Sequence, residues 1–458
     1  MGLGDAHQQR IPIQSLTVIN QGNPVMKCQY ACQSTEHLAS RRQFLQGLTA
    51  GSATLAAASG AGLGGVLTGT PAMAEQLRSK QKRVLNIFLH GGVSQLESWD
   101  PKPGTDTGGP FRAIPTTVPG MHICELLPHT AKQMHHLSIL RSLDTKNDDH
   151  GKGTEEMTTG HKRIPGTDYP HLGAITAKML TPSDFALPGH ILIRGAGPGG
   201  GRSAYLGPKY AGVTMNDGKP PQFTERPSAL SPESDSRRNL LRSRFNDRFA
   251  GRRRTADTDA YTFSYDQAQD LLARREVFDV ERESAEDRER YGVSEFGQHC
   301  LMARRLLEND VPFVQVNHSN YDTHHENFDF HIEQLGEFDQ PFAMLIDDLH
   351  QRGLLENTLV CVMSEFGRTP RINARYGRDH WGKAWSVVLG GCGIQPGAII
   401  GATNENGTAV ADRPVDHGHV FHTILQAVGI DSTGEFDIAG RKYPIADPAK
   451  GAIDEILA

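Results

Sequence analysis

An α/β fold built on a mostly parallel, doubly wound sheet is the class this chain predicts, on three observations. Short apolar runs recur along the chain, bounded by loops and nearly unbroken, as expected of strands buried on both faces. Segments with helical spacing separate them, the alternation that builds parallel sheets. Several runs also break off into loops carrying His beside Asp or Glu, and ligands in such sheets collect beyond the carboxyl ends of the strands.

The elements follow in order. "RVLNIFLHGG" from Arg83 reads as a buried strand emptying into a tight His-Gly-Gly loop. "LPHTAKQMHHLSIL" has helical spacing and runs into "LSILRSL", a second strand. After the loop "DTKNDDHGKG", "TEEMTTG" reads as the first turns of a helix, and "PHLGAITAKML" as another with Pro170 near its start. "LPGHILIRG" is a strand and "GAGPGGGRSAYLGPKY" a glycine-rich loop. The stretch from Ser231 to Asn309 is polar and helical. Its arginine cluster, "RSRFNDRFAGRRR", reads as a solvated helix face with internal acidic partners, ahead of a site for an anionic partner. "VPFVQVNHSN" is a strand, "FHIEQLGEFDQPFAMLIDDLHQRGLLEN" a long helix, "TLVCVMSEF" and "AWSVVLGG" strands, and "DHGHVFHTILQAVGI" a final helix.

Composition narrows the function. With 37% hydrophobic and 22% charged residues, the 458-residue chain has the make-up of a globular protein. A formal charge of −6 and a pI near 6.4 give no electrostatic reason to expect nucleic acid as a partner. Histidine stands out: 21 in all, 19 of them after residue 74, and imidazole is the commonest metal ligand. The six cysteines show no CxxC spacing; Cys300 and Cys361 lie in apolar runs and read as buried thiols.

The N-terminal region, 1–74, reads as an export signal. Twin arginines in "SRRQFLQ" precede a mildly apolar Ala/Gly-rich tract ending at Ala72-Met73-Ala74, a small-x-small cleavage site. Its Gly, Ser and Thr make it a poor bilayer span. Delivery to the periplasm by the twin-arginine route is the expectation, with residues 75–458 as the mature domain and Met26 as an alternative start.

Five strand ends supply the chemistry. They carry His90; Asp148, Asp149 and His150; His318, Asp322, His324, His325 and Glu326; Glu365; and Asp379 with His380. Mixed imidazole and carboxylate ligation suits zinc, manganese or iron. Each residue also has a plainer reading: His90 as a turn residue, His135-His136 as surface or packing on a helix, Arg368 and Arg371 as partners of carboxylates instead of a phosphate or sulfate grip. Other templates fail. Ser94 lacks the glycine of a nucleophile elbow, "GAGPGGG" lacks the Lys-Ser/Thr of a P-loop, and there is no convincing HExxH.

The motifs "FLHGGVSQLESWDPKP", "DHGKGTEEMTTGHK", "YPHLG", "FGQHCLMARRLLENDVPFVQV", "YDTHHENF", "SEFGRTPRIN" and "GRDHWGKAWSVVLGG" resemble, in order from about Val84 to the C-terminus, the bacterial domain of unknown function 1501 family. That family is itself similar to the alkaline phosphatase and sulfatase superfamily. The resemblance implies an alkaline phosphatase-like (sulfatase-like) three-layer α/β sandwich with metal at the strand ends. By the same resemblance His90 stands at a metal-binding Asp, His150 at the nucleophile, and Asp322 with His324 or His325 at an Asp and His pair. Glu365 then replaces a ligand Asp, Phe366 replaces a ligand His (which implies one metal in place of two), and His380 matches the last histidine. Two functions follow as expectations. One is an exported hydrolase of phosphate or sulfate esters that uses a divalent metal (zinc, manganese, iron or calcium) at His90, Asp322, His324, His325, Glu365 and His380, with a metal-activated water as nucleophile, His150 as base or covalent acceptor and Arg368 holding the anion. The other is a non-catalytic descendant that binds metal or a sulfated or phosphorylated glycan within an envelope complex.

Overall fold

Strand β1 (Arg83–Leu89) is buried along its whole length and lies at the heart of an eight-stranded sheet. The computed structural model describes residues 78, 80–195, 201–216, 219–220, 225–250 and 256–458, so the expected signal lies outside the described residues. The other strands are β2 (Leu137–Leu143), β3 (His190–Ile193), β4 (Val213–Met215), β5 (Phe313–His318), β6 (Thr358–Met363), β7 (Trp385–Gly391) and β8 (Ile399–Ile400), in the order β8-β2-β7-β6-β1-β5-β3-β4. All run parallel except β7, which is antiparallel to β2 and β6. The mostly parallel sheet expected from sequence is therefore present. Two short strands of this sheet escaped the sequence reading, β4 and β8 at its edges, because two or three residues carry no periodicity.

Alternation along β1 explains the layers. Leu85, Ile87 and Leu89 face one apolar core, shared with residues of the helices Glu295–Glu308 and Asn327–Gln351. Val84 and Phe88 face a second core, shared with α1 (His150–Thr159), α2 (Leu172–Leu180) and a C-terminal helix, His417–Ala427. Helices thus cover both faces, giving a three-layer α/β sandwich. One further correction affects the site: α1 begins at His150 and not near Thr154, because the Asp149 carboxylate accepts from the Lys152 N–H at 2.8 Å and caps it. The run Thr130–His136, expected as helix, is a tighter 3₁₀ turn. Cys124, Cys300, Cys361 and Cys392 are buried free thiols. Among the described residues no helix is long and apolar enough to cross a membrane.

Under the second core lies a pair of buried imidazoles, His171 and His190, stacked with ring centroids 4.9 Å apart. Burial drives both down, His190 to about 4 and His171 well below its ordinary value. Both are neutral in the folded chain, whereas the unfolded chain takes up their protons near pH 6.5. Their contribution is therefore intact above that pH and is lost as pH falls from 6.5 towards 4, by about 1.4 kcal/mol per pH unit for each ring. Urea unfolding at successive pH values should show this slope, and His190→Phe should make it shallower by one ring's share. An unchanged slope would mean that the pair does not titrate on unfolding.

Candidate metal centre

Close approach of three strand ends assembles the site. β1 passes into His90-Gly91-Gly92, where Gly91 has φ 113° and a Cβ there would lie 2.5 Å from the Asp322 nitrogen. At Gly92, φ 82°, a Cβ would meet the Phe366 ring at 2.5 Å. Only glycine lets the β1 loop lie between the loops that leave β5 and β6. β5 leads to Asp322, and β6 to Ser364-Glu365-Phe366. The chain then enters an antiparallel ribbon, Gly367–Arg368 with His380–Trp381, in which His380 is paired with Arg368. Beyond β2, Asp148 and the first residue of α1, His150, complete the ring. The exits of β1, β2, β5 and β6, together with the ribbon that follows β6, meet here.

At the centre, Asp322 Oδ1 is 3.1 Å from His324 Nε2 and 3.1 Å from His380 Nε2, and the two nitrogens are 3.0 Å apart. The far side of each ring is fixed. His324 Nδ1–H donates to Asp379 Oδ1 at 2.8 Å, and His380 Nδ1–H to the Asp148 carbonyl at 2.7 Å. Those partners only accept, so in the neutral rings both Nε2 atoms carry lone pairs. Two lone pairs and a carboxylate oxygen thus converge, an arrangement that repels unless a cation or proton sits among them. Tetrahedral ligands at zinc distances of 2.0–2.1 Å lie about 3.3–3.4 Å apart, close to these separations. Burial alone would raise the Asp322 carboxyl, but the Arg368 hydrogen bond at 2.5 Å and the Arg368 charge outweigh it and hold it well below the usual carboxylate range.

His150 closes the ring. Its Nδ1–H donates to Glu365 Oε1 at 2.7 Å, and its Nε2 lies 3.4 Å from Asp322 Oδ2. Glu365 is buried and also accepts from the Gly91 N–H at 2.8 Å and the Ser364 hydroxyl at 3.0 Å. The Glu365 hydrogen bond raises His150 against the opposing effect of burial. Burial alone would raise Glu365, but His150, His90 and the backbone N–H groups hold it below the usual carboxylate value. His150, Asp322 and His380 each bring a ligand atom within 4.8 Å of the others. Phe366 is buried beneath them, its ring centroid 4.4 Å from that of His380 and 4.9 Å from that of His150.

A family model described as "Protein of unknown function (DUF1501)" matches residues 81–457. The chain belongs to the DUF1501 family. Among curated proteins none matches. The chain is similar to the PsFucS1 sulfatase from Pseudoalteromonas sp. at 13% identity, over 85% of this chain and 76% of that one, with a TM-score of 0.37. It is similar to the lipoteichoic acid synthase LtaP from Listeria monocytogenes at 8% identity, over 82% and 81%, TM-score 0.37. For the phosphonate monoester hydrolase of Agrobacterium radiobacter the values are 12%, 82% and 77%, and 0.35. Likeness at these scores carries no weight for the chemistry of this DUF1501 protein, which rests on its own residues.

The structure separates the expected site residues. Asp322, His324, His380 and His150 converge. Glu365 does not face the triad: its oxygens are held by Gly91, His150 and Ser364, and it stands behind His150 as a partner, not a ligand. His90 lies further back, its Nε2 3.0 Å from Asn317 Oδ1 and its ring 4.4 Å from Phe88. His325 is exposed and packs on Phe330, away from the centre. Arg368 is no anion grip, because its buried guanidinium donates to the carbonyls of Gly91, Gly92 and Arg378 and to Asp322. Glu97, just beyond the first strand, forms a buried bidentate pair with Arg378 at 2.7 and 3.0 Å and so fixes the segment that carries Asp379 and His380.

Asn317 was missed in the sequence. Its signal was the polar alternation Gln315, Asn317 in a strand otherwise apolar. Asp379 was named there only as a neighbour of His380, yet it orients His324. Asp379→Ala is expected to weaken metal binding by about 10–100-fold, the usual cost of removing a carboxylate behind a ligating imidazole. Competition against a chelating dye measures this, and an unchanged affinity would remove Asp379 from the centre. The side chain is half-exposed, so folding should be unaffected.

Proposed function

We propose that this is a metal-dependent hydrolase of phosphate or sulfate esters, working outside the cytoplasm after twin-arginine export. The observation that carries the reading is the convergence of Asp322 Oδ1, His324 Nε2 and His380 Nε2 within 3.1 Å, each imidazole held from behind by an oxygen. These residues fit a divalent metal, and two imidazoles favour zinc, manganese or iron over calcium, which prefers oxygen ligands. When bound, the metal supplies Lewis-acid polarisation and charge neutralisation at the ester. The chain's own residues supply the rest. His150, oriented by Glu365, takes a proton from an attacking water at Nε2. The Arg368 hydrogen bond keeps Asp322 ionised and aimed. Phe366 backs the rings of His150 and His380, so that both keep their orientation.

The motif resemblance of the sequence to the alkaline phosphatase and sulfatase superfamily, and not the fold likeness, supports an anionic ester, in a small molecule or a sulfated or phosphorylated glycan, as substrate. One observation favours the alternative of a non-catalytic binding module: the arginine expected to hold the anion is fully engaged inside the protein. The test is a panel of aryl phosphates, aryl sulfates and phosphonates, assayed on protein loaded in turn with zinc, manganese and iron. Turnover that follows metal load and disappears on chelation supports the hydrolase. Binding of these anions without turnover supports the module.

A further inference from the structure

Helix α3 (Pro232–Ala250) packs with the wrong face inward. Asp235, Asn239, Arg242 and Asn246, spaced at helical intervals, are the partly covered residues. On the neighbouring helix α4 (Ala256–Ala273), Asn246 donates to Thr262 Oγ1 at 3.4 Å and Arg242 pairs with Asp266 at 2.7 Å. The apolar residues are left in solvent: Leu240 is 52% exposed, Leu241 47%, Phe245 67% and Phe249 53%. Leu241, Phe245 and Phe249 recur every fourth residue and form one stripe along the helix. A surface helix normally buries its apolar stripe, so this stripe is built to be covered by something.

Charge identifies the cover. Between 237 and 254 the sequence has eight arginines and one acid, Asp247, in a chain whose overall charge is −6. The solvated-face reading expected acidic partners for them. Arg238 and Arg242 have such partners, Asp235 and Asp266. Arg237, Arg244 and Arg248 face solvent, with no acidic partner among the described residues. A second copy docking stripe to stripe would bring these arginines against their own kind. A small anion would satisfy the guanidinium groups and leave the two phenylalanines bare.

We propose that α3 is a membrane-surface helix that lies in the headgroup region of an anionic phospholipid bilayer, with Leu241, Phe245 and Phe249 inserted and Arg237, Arg244 and Arg248 on the phosphates. Nineteen residues give a contact about 28 Å long. A cationic polar face combined with exposed aromatics is the pattern of in-plane helices, and long arginine side chains can reach phosphates while their stems stay in apolar surroundings. The inference is independent of the metal centre and of hydrolysis.

Vesicle flotation of the chain from Glu75 to Ala458 tests it, with phosphatidylcholine alone and with phosphatidylglycerol added. Binding is expected only with the anionic lipid, and it should weaken as salt rises. Phe245→Ala with Phe249→Ala should reduce partitioning at least about tenfold. The triple change Arg237→Ser, Arg244→Ser, Arg248→Ser should reduce it about a hundredfold, at roughly fivefold per charge. Both variants alter exposed side chains, so unchanged melting curves would show that lost binding is not lost folding. No flotation with either lipid, equal flotation with both, or no effect of the phenylalanine pair would overturn the proposal. So would a dimer, seen by light scattering, that dissociates in the Phe245→Ala/Phe249→Ala protein, because the stripe would then be a self-interface.

Discussion

Asp322→Asn is expected to leave purification with little of the metal that the unchanged protein carries. The substitution keeps a side chain able to accept from Arg368 but removes the one anionic donor among the converging atoms. A ligand contributes more than the groups behind it, so the loss of affinity should exceed about a hundredfold. Plasma mass spectrometry on protein exported natively and purified without chelator gives the stoichiometry. Asp322→Ala should lose the metal too, but it also strips the fully buried Arg368 of the one carboxylate it pairs with among the described residues, so its thermal midpoint should fall where that of Asp322→Asn holds. A folded wild-type protein free of metal would end the metal reading, and so would equal occupancy in wild type and Asp322→Asn.

The second large effect concerns turnover. Glu365→Gln should keep both fold and metal yet lower kcat about a hundredfold, with His150→Ala losing more, within the 10²–10⁴ range typical of a positioned acid–base group. The geometry favours a clean substitution. A glutamine oxygen at the Oε1 position still accepts from the Gly91 N–H and from His150. Its NH₂ then donates to the Ser364 oxygen, and in that variant the Ser364 proton turns from residue 365 to the Leu89 carbonyl, which already lies 2.5 Å from the Ser364 oxygen. What disappears is the negative charge that stabilises the imidazolium once His150 has taken a proton. Activity undiminished in Glu365→Gln would remove His150 from the acid–base role. Activity lost together with the metal would place Glu365 among the ligands after all.

Much of this was legible in the sequence because strand ends in a parallel sheet share one edge. The apolar runs from Arg83, Phe313 and Thr358 became the three adjacent central strands, and their polar exits met. Fine assignment within the exits was not legible. His324 and His325 are adjacent in a loop where Asn320 and Glu326 have positive φ, so no helix or strand period tells which ring points inward. Arg368 looked like a loop residue free to hold an anion; its actual partners are chiefly backbone carbonyls, and carbonyls leave no mark in a sequence. Glu365 looked like a ligand because it ends a strand, yet the Gly91 N–H and the Ser364 hydroxyl turn its oxygens away from the centre. The inverted face of α3 was hidden because charge density alone reads as solvation, and only the packing showed which side had been left outside.

The triad also has an order in time. Asp322 and His324 leave the ribosome almost together, whereas His380 follows 56 residues after His324. For that interval the growing chain holds two of the three donors, one carboxylate and one imidazole, with Asp379 not yet made to orient the ring. Such a pair would exchange metal quickly, and the full set closes only when the ribbon bearing His380 folds back against Arg368. On the reading proposed above, the full set of three donors therefore exists only once the ribbon bearing His380 has been made and folded back.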